Sequence, residues 1–232
     1  MTKYVNGFGS GDSAKINETS LKLPTIRRFP RYLKLLHELN SAGRDIVSSA
    51  RIADELKLDP IVVRKDLAFT GVTGKPKLGF SIPHLIEEIE KVIYTEGTVT
   101  YLIGAGQLGA ALLGSSGLDR FGFRINAVFD INPEKVNTKV QNRHVFKLEQ
   151  LPDMIVPGHT FIAILCVPEE SAQGTADFLV KAGISAIWNF SNTELQVPGH
   201  VTVQNESLAA GLAELSVKLR NKAGSAKLPG DV

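Results

Sequence analysis

The chain has 232 residues, 43% hydrophobic and 22% charged, the balance of a globular protein long enough for two modest cores. It has one cysteine, Cys166, a near-neutral formal charge of +2, and no apolar run approaching the roughly 20 residues of a membrane helix. An internal disulfide and a helical membrane span are thereby excluded, and the polar start of the chain, with no leader-like apolar run, predicts a cytoplasmic protein.

Charge is unevenly spread. Between Lys22 and Phe80 twelve basic residues stand against six acidic ones, so the remainder of the chain is acidic overall. A basic front and an acidic back suggest that only the front meets a polyanion, although a solvated charged surface has the same composition.

In chain order, residues 1–20 are rich in Gly, Ser, Asn and Lys with no apolar period, and are expected to be a disordered tail. Residues 21–95 are expected to form one domain. Its first helix spans Arg27 to Asn40, with Tyr32, Leu33, Leu35, Leu36 and Leu39 on one stripe and Gly43 as its stop. Ser48 or Ser49 caps a second, short helix that turns Ile52, Ala53 and Leu56 inward. Asp59-Pro60 opens a third, an N-cap followed by proline at the first helical position, which ends at Gly71. Thr73 to Phe80 is turn-rich and basic between Gly74 and Gly79, and helical period returns at Leu85, Ile86, Ile89 and Val92.

After Gly97 the pattern becomes strand–helix–strand. Thr98–Ile103, Ile125–Phe129, Phe161–Val167, Ala186–Phe190 and Val201–Val203 are short, nearly continuous apolar runs suited to strands buried on both faces. Helical stretches at Leu108–Leu113 and Ser171–Ala182 lie between them, so residues 96–204 read as a Rossmann-like doubly wound parallel sheet of α/β class. Residues 205–220 are expected to be a separate C-terminal helix, and residues 221–232 a second disordered tail.

Gly104-Ala105-Gly106-Gln107-Leu108-Gly109 follows the first of these strands and opens a helix, and Asp130 closes the next strand at the offset of a dinucleotide fingerprint. Gly104 permits the tight turn, Gly106 a close approach of the backbone to a pyrophosphate, and Gly109 the packing of helix on strand. The helix N-terminus supplies unpaired N–H groups for phosphate oxygens. Asp130 is expected to accept hydrogen bonds from the adenosine ribose and to repel a 2′-phosphate, which favours NAD(H) over NADP(H). Val167-Pro168, after Cys166, and Asn189-Phe190, after Trp188, end strands on the same sheet edge. They are expected to line the nicotinamide pocket, Phe190 by apolar contact and Asn189 through its amide. Cys166 lies in so apolar a run that a buried, inert thiol is the ordinary reading. The same turn would also suit coenzyme A or another nucleotide. His144, His159 and His200 have no carboxylate or lysine at a catalytic spacing, and scattered histidines with one cysteine make no zinc site. The site therefore reads as a sensor rather than an enzyme, with an NAD-dependent oxidoreductase carrying a small accessory domain as the alternative.

The three short helices and the Gly-bounded hairpin read as a winged helix-turn-helix. The third helix would present Arg64 and Lys65 to the major groove, the wing would offer Lys75 and Lys77, and Arg27, Arg28 and Arg31 with Ser48 and Ser49 would meet phosphates. A small helical subdomain for protein contacts would have the same outline.

Both halves together resemble the Rex family of bacterial redox-sensing repressors over roughly residues 22–220. The resemblance rests on Thr25-Ile-Arg-Arg-Phe-Pro-Arg-Tyr, Val47-Ser-Ser, Val63-Arg-Lys-Asp-Leu, Gly71-Val-Thr-Gly74, Ile103-Gly-Ala-Gly-Gln-Leu-Gly, Phe129-Asp-Ile-Asn-Pro and Ile187-Trp-Asn-Phe. It implies a homodimer on a double-stranded inverted-repeat operator, released as NADH rises relative to NAD+, with a C-terminal helix exchanged between subunits at Leu208–Leu219. The chain departs from the family at Phe69-Thr-Gly71, at Lys75-Pro-Lys77-Leu-Gly79 in the wing, and at Gln141-Asn142, where Gly-Gly is usual. It also carries Ser207 where members often have an aspartate that pairs with an arginine matching Arg28, and Glu206 alongside would point elsewhere.

Overall fold

The computed structural model describes residues 23–94, 97–115, 118 and 123–225. The expected N-terminal tail, residues 1–20, and residues 226–232 of the expected C-terminal tail lie outside the described residues. The chain divides into two compact units at Ile93/Tyr94, just before the boundary expected at Glu96. Among the described residues no helix is long and apolar enough to cross a membrane.

In the first unit, α1 (Leu23–Ser41) is followed by β1 (Ile46–Val47), α2 (Ser49–Leu56), α3 (Pro60–Ala68), β2 (Phe80–Ser81) and α4 (Ile82–Ile93). α1 starts ahead of the expected Arg27 and continues through Pro30. The proline removes one N–H donor, but Phe29, Tyr32, Leu33 and Leu36 are fully buried, and that burial outweighs the lost bond. Ser48 caps α2 by accepting the Arg51 N–H at 3.1 Å. Asp59 caps α3 by accepting the Ile61 N–H at 2.6 Å, with Pro60 in the first turn. The core is closed by Ile52, Val63, Leu67, Ile82, Leu85 and Ile89. β1 pairs antiparallel with β2, and the chain between α3 and β2 folds into a tight turn in which Lys75 and Gly79 exchange backbone hydrogen bonds of 2.7 and 2.9 Å.

The second unit holds β3 (Thr98–Ile103), α5 (Gln107–Gly114), β4 (Ile125–Asp130), β5 (Lys139–Val140), β6 (Arg143–Lys147), a 3-10 helix (Leu148–Met154), β7 (Thr160–Leu165), α6 (Glu169–Ala182), β8 (Ala186–Asn189), β9 (Thr202–Asn205) and α7 (Leu208–Ser225). The sheet order is β5-β6-β4-β3-β7-β8-β9, parallel throughout except for the β5–β6 hairpin at the edge. From β3 the chain adds β4 and β6 on one side, then returns to build β7, β8 and β9 on the other. The order reverses between β3 and β7, which is the crevice where doubly wound sheets take their ligands.

Two features differ from the expected ones. The hairpin β5–β6 was not anticipated, and it places His144 in a strand opposite Lys139. Its two-residue turn, Gln141-Asn142, holds both residues at positive φ (48° and 62°), the conformation that Gly-Gly adopts without strain. α7 runs to Ser225, five residues beyond the expected end.

Candidate functional site

β3 delivers the chain to Gly104, at φ 100°, with the Gly104 N–H donating to the Phe129 carbonyl at 2.8 Å. A Cβ on Gly104 would be driven into the carbonyl oxygen of Cys166, so the turns after β3 and β7 touch backbone to backbone. A Cβ on Gly109 would strike the carbonyl of Gly104 itself, which fixes α5 against the turn that precedes it. Gly106 differs. Its backbone is extended (φ −78°, ψ −167°), a conformation open to any residue, and a Cβ there would find only the Lys135 Nζ, at 4.0 Å. Glycine at 106 keeps open the space over the N-terminus of α5.

Asp130 is buried beneath this turn. Its Oδ2 accepts the Ala105 N–H at 2.7 Å, its Oδ1 accepts the Asn132 N–H at 2.8 Å, and the Lys135 ammonium lies 3.5 Å from Oδ2. Two carboxylate oxygens have about four acceptor positions, so room for ribose hydroxyls remains. Gln107 and Leu108 are exposed on the first turn of α5.

Across the crevice, Val167 borders Gly104, and the exposed Pro168 is the N-cap of α6. The Phe190 N–H extends the β7–β8 ladder to the Leu165 carbonyl at 3.0 Å, and the Phe190 ring lies 4.7 Å from Trp188 in a half-buried cluster that includes Cys166. Burial pushes the Cys166 thiol up to about 12, which leaves it protonated and unreactive at neutral pH. Asn189 departs from its expected role. Its amide donates to the Thr193 carbonyl (2.7 Å) and the Asn205 Oδ1 (2.9 Å), and its oxygen accepts from the Ser191 N–H and Oγ–H. All of its donors and acceptor positions are used in holding the loop after β8, and none is left for a ligand.

In the first unit, α3 turns Val63, Asp66 and Leu67 inward and leaves Ile61, Arg64, Lys65 and Ala68 exposed on one face. Arg64 Nε donates to the Pro60 carbonyl of its own helix, at 3.3 Å. The exposed Lys75 and Lys77 sit on the tight turn, which is anchored because a Cβ on Gly79 (φ 108°) would collide with the Val47 carbonyl. Arg27 is exposed, Ser49 opens α2, and Arg31 donates to the Leu56 carbonyl at 2.8 Å, closing the end of α2. Arg28 departs from the expected contact with phosphate. Its Nε and Nη2 donate to the Asp66 carboxylate at 2.6 and 2.7 Å, and Thr25 and Tyr32 donate to the same group at 2.8 and 2.6 Å. Burial pushes Asp66 up, but the hydrogen bonds from Arg28, Tyr32 and Thr25 outweigh it and hold the carboxyl below its ordinary range.

Set beside known proteins, residues 23–68 match the family model described as a putative DNA-binding protein N-terminus, and residues 95–193 match the CoA binding domain. A redox-sensing transcriptional repressor Rex from Treponema denticola is 42% identical over 200 residues, covering 86% of this chain and 95% of that one. The chain belongs to the Rex family. A second Rex, from Caldanaerobacter subterraneus subsp. tengcongensis, is 35% identical over 215 residues, covering 92% and 96% of the two chains. The crystal structure of RSP with β-NAD+ and operator DNA matches at TM-score 0.75 and 32% identity, covering 90% of this chain and all of that one. The RSP complex with β-NADH matches at TM-score 0.71 and 33% identity, covering 89% and 97%.

In this Rex-family chain the residues around Ser207 have local partners. Ser207 Oγ accepts the Ala210 N–H at 3.3 Å, which makes it the N-cap of α7. Glu206 does point elsewhere: its Oε1 accepts the Trp188 indole N–H at 3.0 Å. Two features escaped sequence reasoning, and a third was visible only as a nearby cation. Thr25 and Tyr32 gave no sign that they hold Asp66, since nothing in their spacing sets two helices side by side. Lys135 stands five positions after Asp130, close enough in sequence to be noticed, but its pairing with that carboxylate shows only in the fold. On α4, His84, Glu87 and Glu88 group their polar atoms within 4.8 Å, a spacing of three and four residues on one helix. They are solvent-facing, and Lys91 already pairs with both carboxylates at 2.7 Å.

Proposed function

We propose that this chain acts in the cytoplasm as a homodimeric repressor that grips an inverted-repeat operator through α3 and the 75–79 turn, and that NADH, bound at Gly104–Gly109, releases it. The observation that carries the reading is the seating of this turn over buried Asp130 at the strand-order reversal, in a chain whose other unit exposes a cationic helix face. Gly104, Ala105, Gly106, Gln107, Leu108 and Gly109 would hold the diphosphate, Asp130 the adenosine ribose, and Val167, Pro168 and Phe190 the nicotinamide end. Only a ligand that binds the two states with different affinity can shift the equilibrium, and an apolar wall at Phe190 suits the neutral ring of NADH better than the cationic ring of NAD+. Neither a metal nor a catalytic step enters this reading, and the thiol of Cys166, raised by burial, offers no nucleophile at neutral pH.

Dimerisation rests on α7. Leu212, Leu215 and Leu219 form one stripe of that helix at 68%, 54% and 61% exposure, too much apolar surface for a lone helix in water. Replacing Leu212 and Leu215 together with glutamate is expected to give a monomer by light scattering and to cost at least tenfold in operator affinity, since each half-site is then bound alone.

A gel shift on inverted-repeat DNA over a range of salt tests the function. Affinity is expected to fall steeply with salt and to drop when NADH is added. Arg64→Ala and Lys65→Ala should each weaken DNA binding by about tenfold without changing dinucleotide affinity, the arginine also relaxing sequence preference. Salt-insensitive binding, or oxidation of NADH by a carbonyl substrate, would favour the oxidoreductase instead.

A further inference from the structure

We infer that Lys135 is a phosphate ligand of the dinucleotide site, pairing with Asp130 while the site is empty and with the 5′-diphosphate of the adenosine half when it is filled. The inference rests on the dinucleotide reading above and adds to it a side-chain cation 3.5 Å from Asp130.

Position is the first argument. The Lys135 ammonium is 3.5 Å from Asp130 Oδ2 and 4.0 Å from where a Cβ of Gly106 would stand. It therefore borders both the carboxylate that would take the ribose and the open space above the N-terminus of α5. The second argument is charge. The turn Gly104–Gly109 and the whole of α5 carry no charged side chain, so the helix end offers only backbone N–H groups to a group with two negative charges. A lysine is a compact point charge with three donors on a flexible stem, able to stay near a carboxylate and turn toward a phosphate oxygen. At 39% side-chain exposure it retains the mobility to do so.

The 5′-diphosphate is favoured over a 2′-phosphate for a local reason. A 2′-phosphate would have to sit against Asp130 itself, whose carboxylate is buried and held by two backbone N–H groups. Like charges at that range repel, and a single ammonium already paired with Asp130 does not reverse the sign. Over Gly106 the lysine meets the diphosphate on a turn and helix that carry no charged side chain of their own.

The test compares ligands that add one group at a time: adenosine, AMP, ADP-ribose, NADH, and 2′-AMP, titrated into the full chain and into Lys135→Gln and Lys135→Arg. Lys135→Gln is expected to weaken ADP-ribose and NADH by about tenfold, to leave adenosine within twofold, and to flatten the salt dependence of NADH binding; Lys135→Arg restores most of the loss. Unchanged NADH affinity in Lys135→Gln overturns the inference. So does an equal loss for adenosine, which would mean that Lys135 acts only by placing Asp130, and so does a loss confined to 2′-AMP. A parent chain that binds neither ADP-ribose nor NADH defeats the dinucleotide reading itself. Thermal melts of both variants check that the fold is intact.

Discussion

Asp66→Ala is expected to destabilise the N-terminal unit by about 3–5 kcal/mol and to abolish operator binding, while the C-terminal unit still takes NADH. Asp66 is 2% exposed and accepts four hydrogen bonds, two from Arg28 and one each from Thr25 and Tyr32. All three partners belong to α1, and Asp66 belongs to α3. The carboxylate is thus the polar bolt between the first helix and the one that presents Arg64 and Lys65. Removing it strands a guanidinium that is only 24% exposed and leaves two buried hydroxyls unpartnered. A small domain has roughly 5–15 kcal/mol in all, so the loss takes a large share of it. The C-terminal unit has its own core around Tyr101, Phe129, Leu165 and Leu179, which is why NADH binding should survive.

The same carboxylate fixes a pH dependence. Its folded value is held below the ordinary carboxylate range, so its contribution is fully present above the unfolded value, about 4, and is lost as pH falls through the folded one. Between pH 5 and 8 this group should contribute no slope to stability. Below about pH 4 the parent should lose stability with a steeper slope than Asp66→Asn, measured by urea melts of the N-terminal unit in the whole chain. Equal acid slopes would show that the bolt is not ionised in the folded state.

Gly109→Ala is expected to lower NADH affinity by roughly 10- to 100-fold. The added methyl would press on the Gly104 carbonyl, which is backbone and has no rotamer to yield. Relief requires α5 to move off the turn, and that displaces the N–H groups meant for the diphosphate. Gly106→Ala makes the informative contrast, because its Cβ meets nothing nearer than Lys135 at 4.0 Å. That variant should fold as stably as the parent and still bind NADH poorly, since the methyl fills ligand space rather than protein space. Calorimetry paired with thermal melts separates the two mechanisms. If Gly109→Ala binds NADH normally, the packing role assigned to Gly109 is wrong.

The parts of this molecule legible in its sequence are those set by local rules. Asp59-Pro60 and Ser48 announce helix starts through capping chemistry, and the apolar run Thr98–Ile103 gives β3 to the residue. The Gly104–Gly109 turn and Asp130 are legible because each residue type answers a specific steric or electrostatic demand. What escaped was set by tertiary context. β6 buries only Val145 deeply, with Phe146 half-buried and Arg143, His144 and Lys147 exposed, so Arg143–Lys147 shows no continuous apolar run. Asn189 looked like a ligand because it ends a strand at the right edge, but only the fold reveals that its amide is saturated by Thr193, Asn205 and Ser191. Arg28 sits among arginines in a basic segment, and its inward turn depends on a carboxylate 38 residues away.

The dinucleotide is expected to be read by the DNA-binding face rather than consumed. Coupling between two sites is reciprocal, so the factor by which NADH weakens operator binding must equal the factor by which operator weakens NADH binding. The most direct measurement is calorimetric titration of NADH and of NAD+ into the full chain, free and saturated with an inverted-repeat operator. Bound operator should weaken NADH by at least tenfold and NAD+ by much less. An NADH affinity that is the same with and without operator would contradict it.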